Sequence, residues 1–181
     1  VIPNPLALNM YMLGYTADGK LTQLNEAVKN NVKIYLSQYR VLTDAINLKD
    51  AYIINVGVRF AITVKRGFNK NKVLFEAIQQ VKKHFETKKW QINQPIVLSD
   101  IAYVIGLVEG VVTVVPPQDN NPNKNIVVIE NKHKVAEGYS GNIYDTDAAT
   151  RDGIVYPSLD PSIFEVKYPN VDIEGRVVGD R

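Results

Sequence analysis

The sequence contains no cysteine among its 181 residues and only two histidines, His84 and His133. The absence of cysteine excludes disulfide frameworks, thiolate zinc sites, iron–sulfur clusters and cysteine nucleophiles. The two histidines lie far apart and in different predicted elements. They therefore give neither a metal-ligand spacing nor a starting point for a Ser/His/Asp site.

No stretch of the chain has the composition of a membrane span or a signal peptide. The most apolar window, Ile96–Val115, contains Ser99, Asp100 and Glu109, and each central acid would cost roughly 2.5–3.5 kcal/mol on insertion. The first residues include neither an initiator Met nor a basic region followed by an apolar one. We expect no membrane partner, no signal peptide, and a chain that is a fragment of something longer.

The composition is that of an ordinary globular protein, since hydrophobic residues make up 45% and charged residues 22% of the chain. A chain of this length can bury a core without disulfides or metals. Hydrophobic periodicity predicts the order strand, helix, strand, strand, helix, short helix, strand. In that order the segments are Leu6–Leu13, Leu21–Tyr39, Val41–Leu48, Tyr52–Lys65, a helix capped by Asn69, the helix Asp100–Val108 capped by Ser99, and Val111–Val115.

Two β-α units that meet at a central pair of strands match the split β-α-β arrangement of ferredoxin-like folds. We therefore predict an α+β fold. Residues 1–117 would form a ferredoxin-like core, βαββαβ with an extra short helix. Residues 118–181 would form an irregular extension that contains short strands and makes interfaces.

The clearest pattern is the alternation over Tyr52–Lys65. Every second position is apolar, whereas the positions between them include Asn55, Gly57 and Arg59. This alternation predicts a long strand with one buried face and one face toward solvent. The apolar stripe of the next helix predicts that this helix packs on the strand. The stripe consists of Leu74, Ala77, Ile78, Val81 and Phe85.

The hydrophobic pattern and the proline content of the sequence change after Pro117. Beyond Asn131 there is no helical period and prolines recur, yet aromatic and β-branched residues remain frequent, which is not typical of a disordered tail. We predict that residues 139–168 are ordered mainly by contacts beyond one protomer's core. The alternative is that they wrap their own domain. Tyrosine and phenylalanine often anchor interfaces, so the candidate protein-interface residues are Tyr144, Tyr156, Phe164 and Tyr168.

Two short runs begin like functional motifs and then fail at required positions. Gly138–Gly141 begins like a nucleophile elbow, but Asn142 stands where the last glycine is required. Asp145 opens a run like a calcium loop, but Thr150 replaces the required glycine and Tyr156 the required glutamate. No Gly-rich phosphate loop follows a predicted strand. We predict that the chain is not an enzyme and has no catalytic, cofactor or metal site.

Charge is distributed unevenly, although the net charge is only +2. Residues 65–89 contain eight basic side chains against two acids, whereas residues 145–181 contain eight acids against four basic side chains. Opposite local charges can steer protein partners together. Few aromatics are interleaved with the basic cluster, and the isoelectric point near 8.6 is not strongly basic. We therefore predict no nucleic-acid partner.

Several segments resemble the baseplate J-like family, the wedge proteins of contractile phage tails. They are Tyr39–Ile46, the long alternating strand, the helix after it, Ile96–Ile101 and Val108–Val111. This resemblance covers roughly residues 4–115 and consists mostly of spaced hydrophobics. A more distinctive run in the tail, Ala149–Glu165 (ATRDGIVYPSLDPSIFE), resembles the end of a baseplate wedge protein of T-even-type bacteriophages.

The resemblance implies the C-terminal portion of a longer, late structural protein of the virion, assembled in the host cytoplasm and located in the tail baseplate. Its partners would be itself, as a homodimer with ring contacts between wedges, and other baseplate wedge proteins. It implies no catalytic residues. Two other hypotheses are a ferredoxin-like binding module for a small ligand or RNA, and an enzyme whose site uses scattered carboxylates.

Overall fold

The computed structural model describes residues 7–39 and 45–179. Over these residues the α+β class is confirmed, with three α-helices and twelve strands. The chain divides into two compact units, Val1–Tyr52 and Ile53–Arg181, so the division does not coincide with the boundary predicted at residue 117. Within the described ranges, no helix is both long enough and apolar enough to cross a membrane.

The first unit is built around a parallel strand pair and one helix. Its elements are β1 (Leu8–Met12), β2 (Gly14–Tyr15), β3 (Leu21–Thr22), α1 (Glu26–Ser37) and β4 (Ile46–Asp50). Helix α1 begins later than predicted because Asn25 caps it, its Oδ1 accepting the N–H of Val28 at 2.9 Å. Leu6 and the first part of the predicted strand Val41–Leu48 lie outside the described residues.

The ferredoxin-like arrangement is not confirmed. In a split β-α-β unit a third strand lies between the two parallel strands, whereas here β1 pairs directly with β4, from Leu8 opposite Ile46 to Met12 opposite Asp50. The long strand that the prediction places between them belongs to another sheet. The order of elements along a chain does not determine which strands pair, and this is why the prediction failed to fix the arrangement.

The second unit is centred on one long strand, β5 (Tyr52–Val64). The other elements of this unit are α2 (Lys70–His84), β6 (Ile96–Val97), α3 (Leu98–Gly106), β7 (Val111–Val115), β8 (Val128–Asn131), β9 (Thr150–Arg151), β10 (Ile154–Val155), β11 (Ser162–Glu165) and β12 (Ile173–Val177). Strand β12 runs parallel to β5, while β7 and β8 pair with it in antiparallel register, and β11 is a further neighbour. Strands β6, β10 and β9 form a smaller sheet.

Helix α2 begins as predicted, but its main contacts are with β12 and α3 and not with the long strand β5. Asn69 caps it, its Oδ1 accepting the N–H groups of Asn71 and Lys72. The buried members of the helix are Val73, Ala77 and Val81, Phe85 just after it is also buried, and Leu74 and Ile78 are half-buried.

Helix α3 begins at Leu98, and the predicted cap Ser99 is an exposed residue inside its first turn. The residue at the cap position is Val97, which makes no side-chain capping bond. Instead, the N–H of Leu98 donates to the carbonyl of Gly153 at 2.9 Å. A residue far along the chain therefore accepts a hydrogen bond from the first backbone N–H group of the helix. The sequence around Leu98 does not indicate that contact.

Strand β5 is buried on both faces over most of its length, which corrects the prediction of one face toward solvent. Asn55 and Gly57, on the face predicted to be wet, are both buried. The segment that follows β8 covers them, and a Cβ atom on Gly57 would lie 2.6 Å from Cε of Lys132. The covering segment comes from more than seventy residues later in the chain, so alternation within β5 could not predict it.

The C-terminal residues are part of the core of the second unit. Strand β12 pairs with β5 from Ile173 opposite Val58 to Val177 opposite Ile62. Ile163, Phe164, Val166 and Ile173 are buried. Residues 139–168 are therefore held by contacts within the chain, contrary to the expectation that contacts beyond one protomer order them.

Candidate interaction surfaces

The four predicted interface aromatics fall in different environments. Phe164 is buried within β11, only 1% exposed, and so cannot contact a partner directly. The ring of Tyr144 lies 6.0 Å from that of Phe164, and its hydroxyl donates to the carbonyl of Tyr156 at 2.6 Å. Tyr168 is half-buried and packs edge-to-face on Tyr139 at 5.4 Å. Only Tyr156, which is 45% exposed, presents a large surface.

A polar network fixes the segment after β8 onto β5 and gives Ser140 a structural role. The N–H of Ser140 donates to Oδ1 of Asn55 at 2.8 Å, and its hydroxyl donates to the carbonyl of Ile53 at 2.7 Å. The side-chain amide of Asn55 donates to Oε1 of Glu165 at 2.9 Å. Asn55 and Glu165 are both buried. The network thus joins three distant parts of the chain.

Ser140 and Asp145, the side chains of the two incomplete motifs, make structural hydrogen bonds. The hydroxyl of Ser140 is committed to a backbone carbonyl. Oδ1 of Asp145 accepts the N–H of Ala148 at 2.9 Å, so this carboxylate closes a local turn. Among the residues described, no group of three or more His, Asp or Glu side chains could hold a metal ion.

Helix α1 carries an exposed apolar surface. None of its twelve residues, all of them described, is buried. Ile34 is 63% exposed, Tyr35 is 59% exposed, and Tyr39 just beyond the helix is 72% exposed. We call these three residues the α1 face. Hydrophobic periodicity predicts a helix here but does not indicate that Tyr35 and Tyr39 face solvent.

A cavity of about 390 Å³ opens at the end of α2, and we call it the His84 cavity. Buried Trp90 stacks on Phe85 at 5.2 Å, and its indole N–H donates to the carbonyl of His84 at 3.2 Å. Burial lowers the pKa of His84 below its ordinary value; the Asp100 carboxylate opposes this effect and Lys89 adds to it. The cavity is lined by Gln80, Lys83, His84, Lys89, Trp90, Gln94 and Val104.

Several lysines of the basic cluster are occupied in local structure. Lys82 donates to Oδ1 of Asn170 at 2.8 Å, and Lys89 pairs with Glu86 at 2.9 Å. Lysines in the last turn of α2 also oppose the negative end of the helix dipole. These contacts give part of the cluster a structural explanation without nucleic acid.

No protein-family model matches the chain, and a comparison with curated proteins finds no significant match.

Proposed function

We propose that this chain is a structural subunit of a contractile-tail baseplate wedge, which self-associates and joins neighbouring wedges into a ring around the hub. The resemblance of the run Ala149–Glu165 to wedge proteins suggests the type of assembly. The observation that carries the proposal is the exposed α1 face.

An isolated helix of twelve residues is marginal in water, because nucleation is costly and few hydrogen bonds follow it. Helices of this length are normally stabilised by burying an apolar stripe. Helix α1 buries no residue completely, while the side chains of the α1 face (Ile34, Tyr35 and Tyr39) are exposed to solvent. A protein partner that covers the α1 face would supply the missing burial.

The test is sedimentation velocity over a range of concentrations, with the double variant Ile34→Gln/Tyr35→Gln. Both positions are exposed, so the fold should survive, while self-association should weaken about tenfold or more if these residues anchor the contact. Asn30→Gln, at an exposed position of the same helix, is the matched control. A wild-type chain that stays monomeric and binds no other wedge protein would contradict the proposal.

A second candidate function, a binding module for a small ligand or RNA, is favoured by the His84 cavity with its two lysines. A ligand of that kind should raise the melting temperature of a monomeric protein, and the rise should grow with the logarithm of the free ligand concentration above its dissociation constant. Thermal scans with short RNA and with small anions would separate this function from assembly.

A further inference from the structure

The loop between β10 and β11 presents Leu159 to solvent, and we call it the Leu159 loop. The side chain of Leu159 is fully exposed to solvent. The loop is fixed by its own bonds: the hydroxyl of Ser158 donates to the carbonyl of Asp160 at 2.6 Å, and its N–H donates to Oγ of Ser162 at 3.2 Å. Two prolines flank it. Since the loop is already ordered, its docking would cost little conformational entropy.

The Leu159 loop and the His84 cavity lie beside each other. Ser162, which closes the loop, exchanges two hydrogen bonds with Asn93: its N–H donates to Oδ1 at 3.2 Å, and its carbonyl accepts the N–H of Asn93 at 2.7 Å. The next residue, Gln94, lines the cavity together with Trp90. The protruding loop and the cavity are therefore joined through one short stretch of chain.

The chemistry of the loop complements that of the cavity. Trp90 and Val104 give the cavity apolar surface, and Lys83 gives it positive charge, while Lys89 is already paired with Glu86. The loop offers a fully exposed leucine directly followed by an aspartate. Single exposed leucines are common on protein surfaces. This one differs because it is held rigidly beside a cavity of complementary character.

We infer that the Leu159 loop of one copy docks in the His84 cavity of a second copy, and the reverse, across a two-fold axis. A two-fold interface requires each copy to carry both complementary parts. This chain carries both, and the hydrogen bonds between Ser162 and Asn93 connect the loop to the lining of the cavity. Leu159 would contact Trp90 and Val104, while Asp160 would pair with Lys83. The inference rests on the proposed self-association and identifies a contact separate from the α1 face.

The test uses two charge reversals at exposed positions, Asp160→Lys and Lys83→Glu, each made in the Ile34→Gln/Tyr35→Gln background so that the α1 face does not contribute. Each variant alone sets like charges opposite each other in its own dimer, so its dimer dissociation constant should rise about tenfold or more. An equimolar mixture of the two variants restores opposite charges at both contacts, so dimers should re-form. Sedimentation equilibrium measures all three samples.

Leu159→Asp provides a second test of the docking contact. Val135→Asp, at another exposed apolar residue, is the matched control. Leu159→Asp should weaken dimerisation about tenfold or more, while the control should not. Self-association that neither the charge reversals nor Leu159→Asp alters would overturn this inference but leave the proposed function standing. Loss of binding to another wedge protein by Lys83→Glu, with self-association intact, would also overturn it. A wild-type chain that never self-associates would overturn the inference, and the proposed function with it if it also bound no wedge protein.

Discussion

The hydroxyl of Tyr139 donates to Oδ1 of Asp172 at 2.5 Å, and both residues are buried. The other carboxylate oxygen of Asp172 accepts the N–H of Tyr168 at 3.1 Å. The Asp172 carbonyl accepts the N–H of Val58, in β5, at 2.7 Å. One residue thus joins the segment after β8, the turn before β12 and the central strand.

The first prediction follows from this bond. Tyr139→Phe removes the hydroxyl and leaves Asp172 with one partner fewer, so the free energy of unfolding should fall by about 1–3 kcal/mol. Urea denaturation followed by circular dichroism measures the loss. Tyr103→Phe, at a tyrosine that is 66% exposed, is the control and should change little. Equal stability of wild type and Tyr139→Phe would show that the bond contributes nothing.

The second prediction concerns the buried amide of Asn55. Asn55→Asp keeps the shape of the side chain but replaces the N–H donor that faces Glu165 with a carboxylate oxygen. Two buried carboxyl groups then lie within hydrogen-bond distance of each other. We expect a loss of about 3 kcal/mol or more in the free energy of unfolding. Asn123→Asp, at an exposed asparagine, is the matched control. A loss as small as that of the control would mean that the network is not stabilising.

The third prediction tests the packing of α2. Phe85 is 2% exposed and stacks on Trp90, so Phe85→Ala should cost about 3–5 kcal/mol. Phe75, inside α2, is 61% exposed, and Phe75→Ala should cost under about 1 kcal/mol. Similar losses for the two variants in a denaturant titration would mean that the buried face is misassigned.

The fourth prediction is a pH dependence. Burial lowers the pKa of His84 in the folded protein, while the unfolded chain keeps a pKa of about 6.5. Protons therefore bind the unfolded chain more readily, and stability should fall as the pH drops through that value. His84→Gln should reduce the difference in unfolding free energy between pH 7.5 and pH 5.5.

A fifth prediction concerns truncation. Deleting residues 139–181 removes β11, β12 and buried Phe164 from the core around β5. The remaining second unit should lose its cooperative thermal transition, because it can no longer cover the central strand. Deleting only residues 179–181, beyond β12, is the control. A truncated protein that melts like the full chain would show that the C-terminal strands are dispensable.

The sequence predicted those features that depend on neighbouring residues. The alternation in β5, the Asn69 cap and the strand Val111–Val115 all belong to this group, since each is specified within a few positions. The features that it missed depend on distant contacts. Ser99 looks like a cap, but the carbonyl of Gly153 satisfies the start of α3.

The candidate interaction surfaces were likewise only partly predictable from the sequence. Of the four aromatics chosen from composition, Phe164 proved to be a core residue, since aromatic content does not distinguish a core strand from an interface. Leu159 was missed because a single leucine carries no pattern. Its two flanking prolines and the neighbouring serine and aspartate do indicate a rigid, exposed turn, and that signal was available in the sequence.

The pairing of β5 with β12 also has a consequence for synthesis. Val58 pairs with Ile173, more than a hundred positions later, so a ribosome has made the central strand long before its parallel neighbour exists. Domains dominated by such non-local pairings fold slowly, because a large loop must close first. During translation the nascent β5 would offer an apolar, unpaired edge that is prone to association. The newly made chain would therefore benefit from a chaperone until β12 has left the exit tunnel.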